Sequence, residues 1–87
     1  SDSEINYRKS LEKNKNSTEG VFNLGDAFYK QGKYEEAANQ FQNITSKNVD
    51  KETLAKAYHN LGNSMLQAKK YEESIKAYKN ALKNNNL

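Results

Sequence analysis

The chain has 87 residues, of which 34% are hydrophobic and 29% are charged, and its 14 basic and 11 acidic side chains leave a formal net charge of +3. Leucine, isoleucine, valine and phenylalanine are scarce enough that an ordered fold requires them at packing positions. The absence of cysteine excludes disulfides and thiolate chemistry, and no apolar run reaches the roughly 18 residues of a membrane-spanning helix.

Self-comparison of the sequence finds one internal repeat. Residues 23–26 (Asn-Leu-Gly-Asp) return as residues 60–63 (Asn-Leu-Gly-Asn), and residues 33–37 (Lys-Tyr-Glu-Glu-Ala) return as residues 70–74 (Lys-Tyr-Glu-Glu-Ser). Both pairs of segments are 37 residues apart. A single offset that serves so many positions indicates a duplicated structural unit.

The first unit, residues 17–47, has the apolar spacing of two helices. Val21, Leu24 and Phe28 recur every three or four residues, and the same spacing resumes after a break and continues through Phe41. The unit is therefore predicted to form two antiparallel helices joined by a tight turn.

The second unit, residues 50–84, repeats this pattern, with Leu61 in its first helix and Tyr78 in its second. Gly25 and Gly62 occupy equivalent positions in the two units. Because glycine has no Cβ, we expect the two helices of each unit to approach closely at these points.

Residues at the expected helix ends support these boundaries. Asn16, followed three positions later by Glu19, indicates a capping box for a helix that begins near Ser17, and Asp50 is a plausible N-cap of the first helix in the second unit. Gly32 suits the turn of the first unit. The equivalent residue of the second unit is Lys69, so we expect that turn to form without glycine.

The spacing of certain residues in this chain also resembles that of a known family. In the first unit these residues are Leu24-Gly25-x2-Phe28, Gly32-x-Tyr34 and Ala37-x3-Phe41. In the second unit they are Tyr58-x2-Leu61-Gly62-x2-Met65, Tyr71 and Ser74-x3-Tyr78. This arrangement resembles the tetratricopeptide repeat. The resemblance implies an all-α fold, a right-handed superhelix of about five helices in a single domain over residues 1–87. Residues 1–15 are then similar to the second helix of a truncated upstream repeat.

A narrower resemblance is carried by residues 6–12, 57–62 and 70–82, and by a connection from Thr45 to Thr53 that is three residues longer than the family's period of 34. These features are similar to the repeat protein of Bacteroides-type aerotolerance (Bat) operons. The resemblance implies a bacterial, envelope-associated scaffold exposed to the periplasm. Its implied partners are other proteins, including von Willebrand factor A-type proteins, and its contact with the membrane is indirect.

In stacked helix pairs of this kind, the first helix of each pair lines the concave side, and we predict the binding face there. Projection of these helices leaves a set of outward residues: Glu19, Phe22, Asn23, Asp26, Tyr29, Lys30, Lys56, His59, Asn60, Asn63, Leu66 and Gln67. We expect Phe22, Tyr29 and Leu66 to be apolar anchors for a peptide, although Phe22 and Tyr29 could instead pack on the preceding helix. The amides of Asn23 and Asn60 could bond a peptide backbone or a neighbouring helix.

Other classes of function receive less support from the sequence. We expect no enzyme, cofactor or metal site, because His59 is the single histidine and has no carboxylate or thiolate at ligand spacing. Chaperone-type members of the family bind the C-terminal carboxylate of a peptide through a clamp that needs Lys and Asn on the first helix. This chain has Phe22 and Asp26 at those positions, so we expect it not to bind C-terminal carboxylates in that way. The lysine-rich last helix lacks an aromatic-interleaved basic groove, so we expect no nucleic-acid partner. A structural alternative is self-assembly through uncapped ends, where Leu11 and Leu82 leave apolar surface to cover.

Overall fold

The computed structural model describes residues 17–85, which form four α-helices joined by short connections. The helices are α1 (Thr18–Lys30), α2 (Tyr34–Thr45), α3 (Lys51–Gln67) and α4 (Tyr71–Asn85). Each helix packs against the next one along the chain, and the described range contains no strand. The predicted all-α class is therefore confirmed. The fifth helix, predicted within residues 1–15, lies outside the described residues.

Side-chain caps fix where α1 and α3 begin. The hydroxyl of Ser17, whose backbone is extended, accepts a hydrogen bond from the N–H of Gly20 at 3.3 Å. The N-cap of α1 is thus Ser17, and the prediction that Asn16 caps this helix is wrong by one residue. Asp50 caps α3 as predicted, because its carboxylate accepts from the N–H of Thr53 at 2.8 Å. Hydrogen bonds from Thr53 also lower the pKa of Asp50.

The extra residues between the two units extend a helix rather than a loop. Helix α3 has 17 residues and α1 has 13, while the connection before α3 spans only residues 46–50. The prediction of a connection that reaches Thr53 is therefore wrong at its C-terminal end. The Asp50 cap satisfies the backbone N–H of Thr53, which allows α3 to start early. The added turn places Glu52 and Thr53 beside α1.

The core confirms that the helices of each pair approach closely at the two predicted glycines. A Cβ on Gly25 would lie 2.6 Å from Cε1 of Phe41, and a Cβ on Gly62 would lie 2.6 Å from Cδ1 of Tyr78. Real carbon atoms do not approach so closely without a clash, so each aromatic ring occupies the space of the missing side chain.

Small and polar residues complete the interior. The largest fully buried side chains are those of Phe41, Ile44, Ser64 and Ser74, so two of the four are serines. The hydroxyl of Ser74 donates to the carbonyl of Gly62 at 2.9 Å, across the α3–α4 contact, and Ser64 donates to Asn60 within α3 at 2.9 Å. Among the described residues no buried side-chain nitrogen or oxygen lacks a partner. Close packing around alanine, serine and glycine explains how a chain poor in large aliphatic residues folds.

Both turns within the helix pairs contain a residue in the left-handed backbone region. Gly32 has φ of +77° and Lys69, at the equivalent position, has φ of +65°. The second turn therefore forms without glycine, as expected. For lysine this conformation costs roughly 1–2 kcal/mol, because Cβ crowds the following carbonyl oxygen.

Candidate protein-binding groove

The first helices of the two units line a groove with a volume of about 630 Å³. We call it the α1/α3 groove. Helix α1 contributes one wall and the first two turns of α3 contribute the other. Its lining residues are Thr18, Glu19, Phe22, Asn23, Asp26, Glu52, Thr53 and Lys56.

Phe22 forms the aromatic part of this groove but is largely buried. Its side chain is 8% exposed, and its ring lies 6.1 Å from the ring of Phe41, measured between centroids. The prediction that Phe22 lies off the packed face is therefore wrong. Helix α1 is covered from two sides at this point, because Phe41 of α2 contacts the ring while Lys56 of α3 reaches over it.

Lys56 places its charge on the face of this ring. The ammonium nitrogen is 4.8 Å from the centroid of Phe22, which is cation–π geometry. The ammonium does not pair with Glu52, one turn earlier on the same helix. Between described residues, the structure's ion pair is Lys70 with Glu35, at 3.3 Å from nitrogen to oxygen. The groove thus contains an aromatic cation site that the protein's own lysine fills.

A smaller recess of about 210 Å³ adjoins this groove, and Asp26 lines both. We call it the Tyr29 recess; its residues are Asp26, Tyr29, Phe41, Asn60 and Asn63. Tyr29 is half-buried and packs edge-on against Tyr34 of α2, with the centroids 5.1 Å apart. Asp26 is thus shared by the groove and the recess, which are both lined by residues of α1 and α3.

The asparagines of this surface have different hydrogen-bond states. The side-chain oxygen of Asn63 accepts from the hydroxyl of Tyr78, which leaves the NH₂ group of Asn63 as a donor. The side chains of Asn23 and Asn60 make no hydrogen bond to another described residue. Within residues 17–85, therefore, neither amide bonds a neighbouring helix.

Four predicted residues lie elsewhere. His59 lines a third depression, of about 560 Å³ between α3 and α4, where its ring lies 5.8 Å from that of Tyr78. Lys30, Leu66 and Gln67 are exposed and line none of these three depressions. The structure therefore does not bring these four side chains into the groove.

Three groove residues were missing from the predicted site. Thr18 is the first residue of α1, and Glu52 and Thr53 lie in the added turn of α3. The predicted cap at Asp50 was a usable signal, because a helix that begins at residue 51 carries residues 52 and 53 in its first turn. Glu52 adds to the carboxylates of Glu19 and Asp26, and among the described residues that line the groove Lys56 is the single cation.

The structure contains no arrangement that indicates metal chemistry in the described range: no three histidine, cysteine, aspartate or glutamate side chains of residues 17–85 converge as ligands. None of the four described helices combines the length and apolar character needed to cross a membrane.

Comparison with known proteins identifies the family. The pattern of the tetratricopeptide repeat matches residues 6–45 and, in a second overlapping match, residues 22–86. A search of curated proteins found no match. Tetratricopeptide repeats generally mediate protein–protein interaction and act as non-catalytic modules. Given these two matches and the two helix pairs of the fold, the chain belongs to the tetratricopeptide repeat family.

Proposed function

We propose that this chain is a non-catalytic interaction scaffold that binds a segment of a partner protein along the α1/α3 groove and the Tyr29 recess. The observation that carries the proposal is that the groove and the recess share Asp26 and together are lined by most of the predicted binding residues. Asp26 joins the groove and the recess, and α1 and α3 contribute equivalent asparagines.

The chemistry of this surface suits an extended peptide. The amides of Asn23 and Asn60 each offer two donors and one acceptor, which is what a peptide backbone needs for pairing. Tyr29 adds a half-buried aromatic wall beside them. Aromatic side chains flanked by polar groups are typical of energetically important contacts at protein interfaces.

The test is a double variant, Tyr29→Ala with Asn60→Ala, compared with a matched pair on the second helices, Tyr71→Ala with Asn39→Ala. Tyr71 and Asn39 are exposed and line none of the three depressions. We expect the groove pair to lose a partner that the wild type captures, and the matched pair to retain it. Retained capture by the groove pair, with an unchanged helical circular dichroism spectrum, would contradict the proposal.

We further propose that the scaffold works in a Bat-type aerotolerance complex of the bacterial cell envelope, on the periplasmic side. The support is the sequence resemblance in residues 57–62 and 70–82, together with the lengthened connection between the units. The partners would be von Willebrand factor A-type proteins, and the membrane would be reached through them. Fractionation of the source cells tests this, because recovery of the protein in the cytosol would contradict it.

A second candidate function is self-assembly, which is favoured by the surface of α4. Ile75 and Leu82 are 54% and 73% exposed, whereas Ala38, the equivalent of Ile75 in the first unit, is 2% exposed beneath its neighbours. A second copy or another helix on this stripe would bury it. Light scattering at high protein concentration tests this candidate: a dimeric mass that Leu82→Lys abolishes would support it, and a monomeric mass would contradict it.

A further inference from the structure

We infer that the α1/α3 groove binds a basic, arginine-bearing segment of its partner, and that Lys56 occupies the position of that arginine in the free protein. This inference rests on the proposed function, because it specifies the chemistry of the segment that the same groove would bind.

The charge of the groove is opposite to the charge of the chain. The whole chain carries a net charge of +3, but Glu19, Asp26 and Glu52 line the groove together with one cation, Lys56. The described side chains that line the groove therefore carry a net negative charge. Such a field attracts a basic segment and repels an acidic one. It therefore raises the association rate of a basic partner and helps to fix the alignment of that partner in the groove.

The ring of Phe22 provides a specific subsite within this field. Its face already attracts a cation, since the Lys56 ammonium stands 4.8 Å from the centroid. Lys56 is an exposed residue on a flexible stem and does not pair with Glu52, so little is lost when it swings away. The ring face can then accept a cation from the partner.

Arginine fits this subsite better than lysine does. Its planar guanidinium can stack on an aromatic face while its edge donates two hydrogen bonds to a carboxylate. The groove is lined by both the ring of Phe22 and the three carboxylates of Glu19, Asp26 and Glu52. A lysine from the partner would only replace Lys56 with an equivalent group.

The same reasoning disfavours helix α4 of a second copy as the occupant. Helix α4 offers lysines, among them Lys76, Lys79 and Lys83, but no arginine, and the chain's one arginine, Arg8, lies outside the described residues. Lysines of α4 would therefore gain nothing over Lys56 on the Phe22 ring. We commit to an extended basic segment of another protein.

The probe is a short fluorescein-labelled peptide of alternating arginine and serine, compared with versions in which lysine or glutamate replaces arginine. Fluorescence anisotropy measures the affinity and amide NMR shifts locate the site. We expect affinity to fall from the arginine to the lysine to the glutamate peptide, with shifts around Phe22, Asn23 and Thr53. Lys56→Gln should raise affinity for the arginine peptide roughly two- to fivefold, because it removes both the competitor and a like charge.

Matched variants separate the groove from the overall charge. Lys79→Gln changes the net charge as Lys56→Gln does, and Glu36→Gln changes it as Glu52→Gln does, but Lys79 and Glu36 line no depression described above. We expect Glu52→Gln to lower affinity for the arginine peptide roughly two- to fivefold and both controls to leave it almost unchanged.

Several results would overturn the inference. They are lower affinity in Lys56→Gln, tighter binding of the glutamate peptide, absence of groove shifts with the arginine peptide, and control variants that act as strongly as groove variants. Shifts that join the groove to α4 and vanish on dilution would assign the groove to a second copy, which also overturns it. If the Tyr29→Ala/Asn60→Ala pair still loses its partner in such a case, the groove remains the binding site and only its preference for basic segments is refuted.

Discussion

The close contact at Gly62 leads to a sharp prediction about stability. In Gly62→Ala the new methyl carbon would stand 2.6 Å from two atoms of the Tyr78 ring and 3.1 Å from Cγ. The close contacts include Cγ, the ring atom bonded to Cβ. Rotation of the ring about the Cβ–Cγ bond therefore cannot relieve them. The ring must move outward, and its hydroxyl then leaves Asn63.

The expected change in the free energy of unfolding is the sum of opposing contributions. Forcing an extra methyl group into a packed interior costs roughly 1–3 kcal/mol, and loss of the Tyr78–Asn63 hydrogen bond costs roughly 1 kcal/mol more. Alanine offsets about 1 kcal/mol of this through its higher helix propensity. We therefore expect a net loss of about 2 kcal/mol, which for a domain of this size lowers Tm by roughly 8–16 °C.

The assay is urea unfolding followed by circular dichroism, with Gln67→Ala as the control because Gln67 is exposed in the same helix. A double-mutant cycle with Tyr78→Ala isolates the clash, with all variants in one concentration of a stabilising osmolyte. Without the ring, Gly62→Ala should stabilise the protein by about 0.5–1 kcal/mol. An equal loss of stability in both backgrounds would refute the reasoning.

Three further predictions concern the turns, a cap and a buried hydrogen bond. Lys69→Gly should raise the free energy of unfolding by about 0.5–1 kcal/mol in thermal melts, because it releases left-handed strain that Gly32 avoids, and a loss would contradict this. The pKa of Asp50 is lowered in the folded state, so its stabilising charge acts above the pKa of the unfolded state and is lost as the pH falls through the folded-state pKa. The stability advantage of wild type over Asp50→Asn should therefore shrink between about pH 7 and about pH 3 in urea titrations, and a constant difference would exclude this linkage. Ser74→Ala should cost about 1 kcal/mol in the same titrations, because it removes the hydrogen bond to the carbonyl of Gly62, and unchanged stability would show that this bond contributes nothing.

The helices were predictable because their signals are local. Apolar residues every three or four positions mark the helix pairs, and the 37-residue offset assigns equivalent roles to Gly25 and Gly62. Asp50 was recognisable as a cap because an N-cap side chain bonds a backbone group only three residues ahead. Features of this kind depend on neighbours along the chain and need no knowledge of the tertiary fold.

The details of the groove were less predictable because they depend on contacts between helices. Helical projection predicts that Phe22 points outward, whereas in the structure its ring packs near Phe41 and beneath the Lys56 ammonium. The predicted cap at Asp50 indicates that a helix begins at residue 51, but a helix start does not show which neighbouring helix its first turn faces. The position of Glu52 in the groove therefore depends on how α3 packs beside α1.

The most direct test of the central claim is site-specific photo-crosslinking in the source cells. A photoreactive side chain would replace Asn23, which is exposed in the groove, or Asn39, which is exposed on α2 and lines none of the three depressions. If α1 and α3 form the binding surface, the partner is crosslinked from position 23 and not from position 39. Crosslinking of the same partner from position 39 alone would contradict the account.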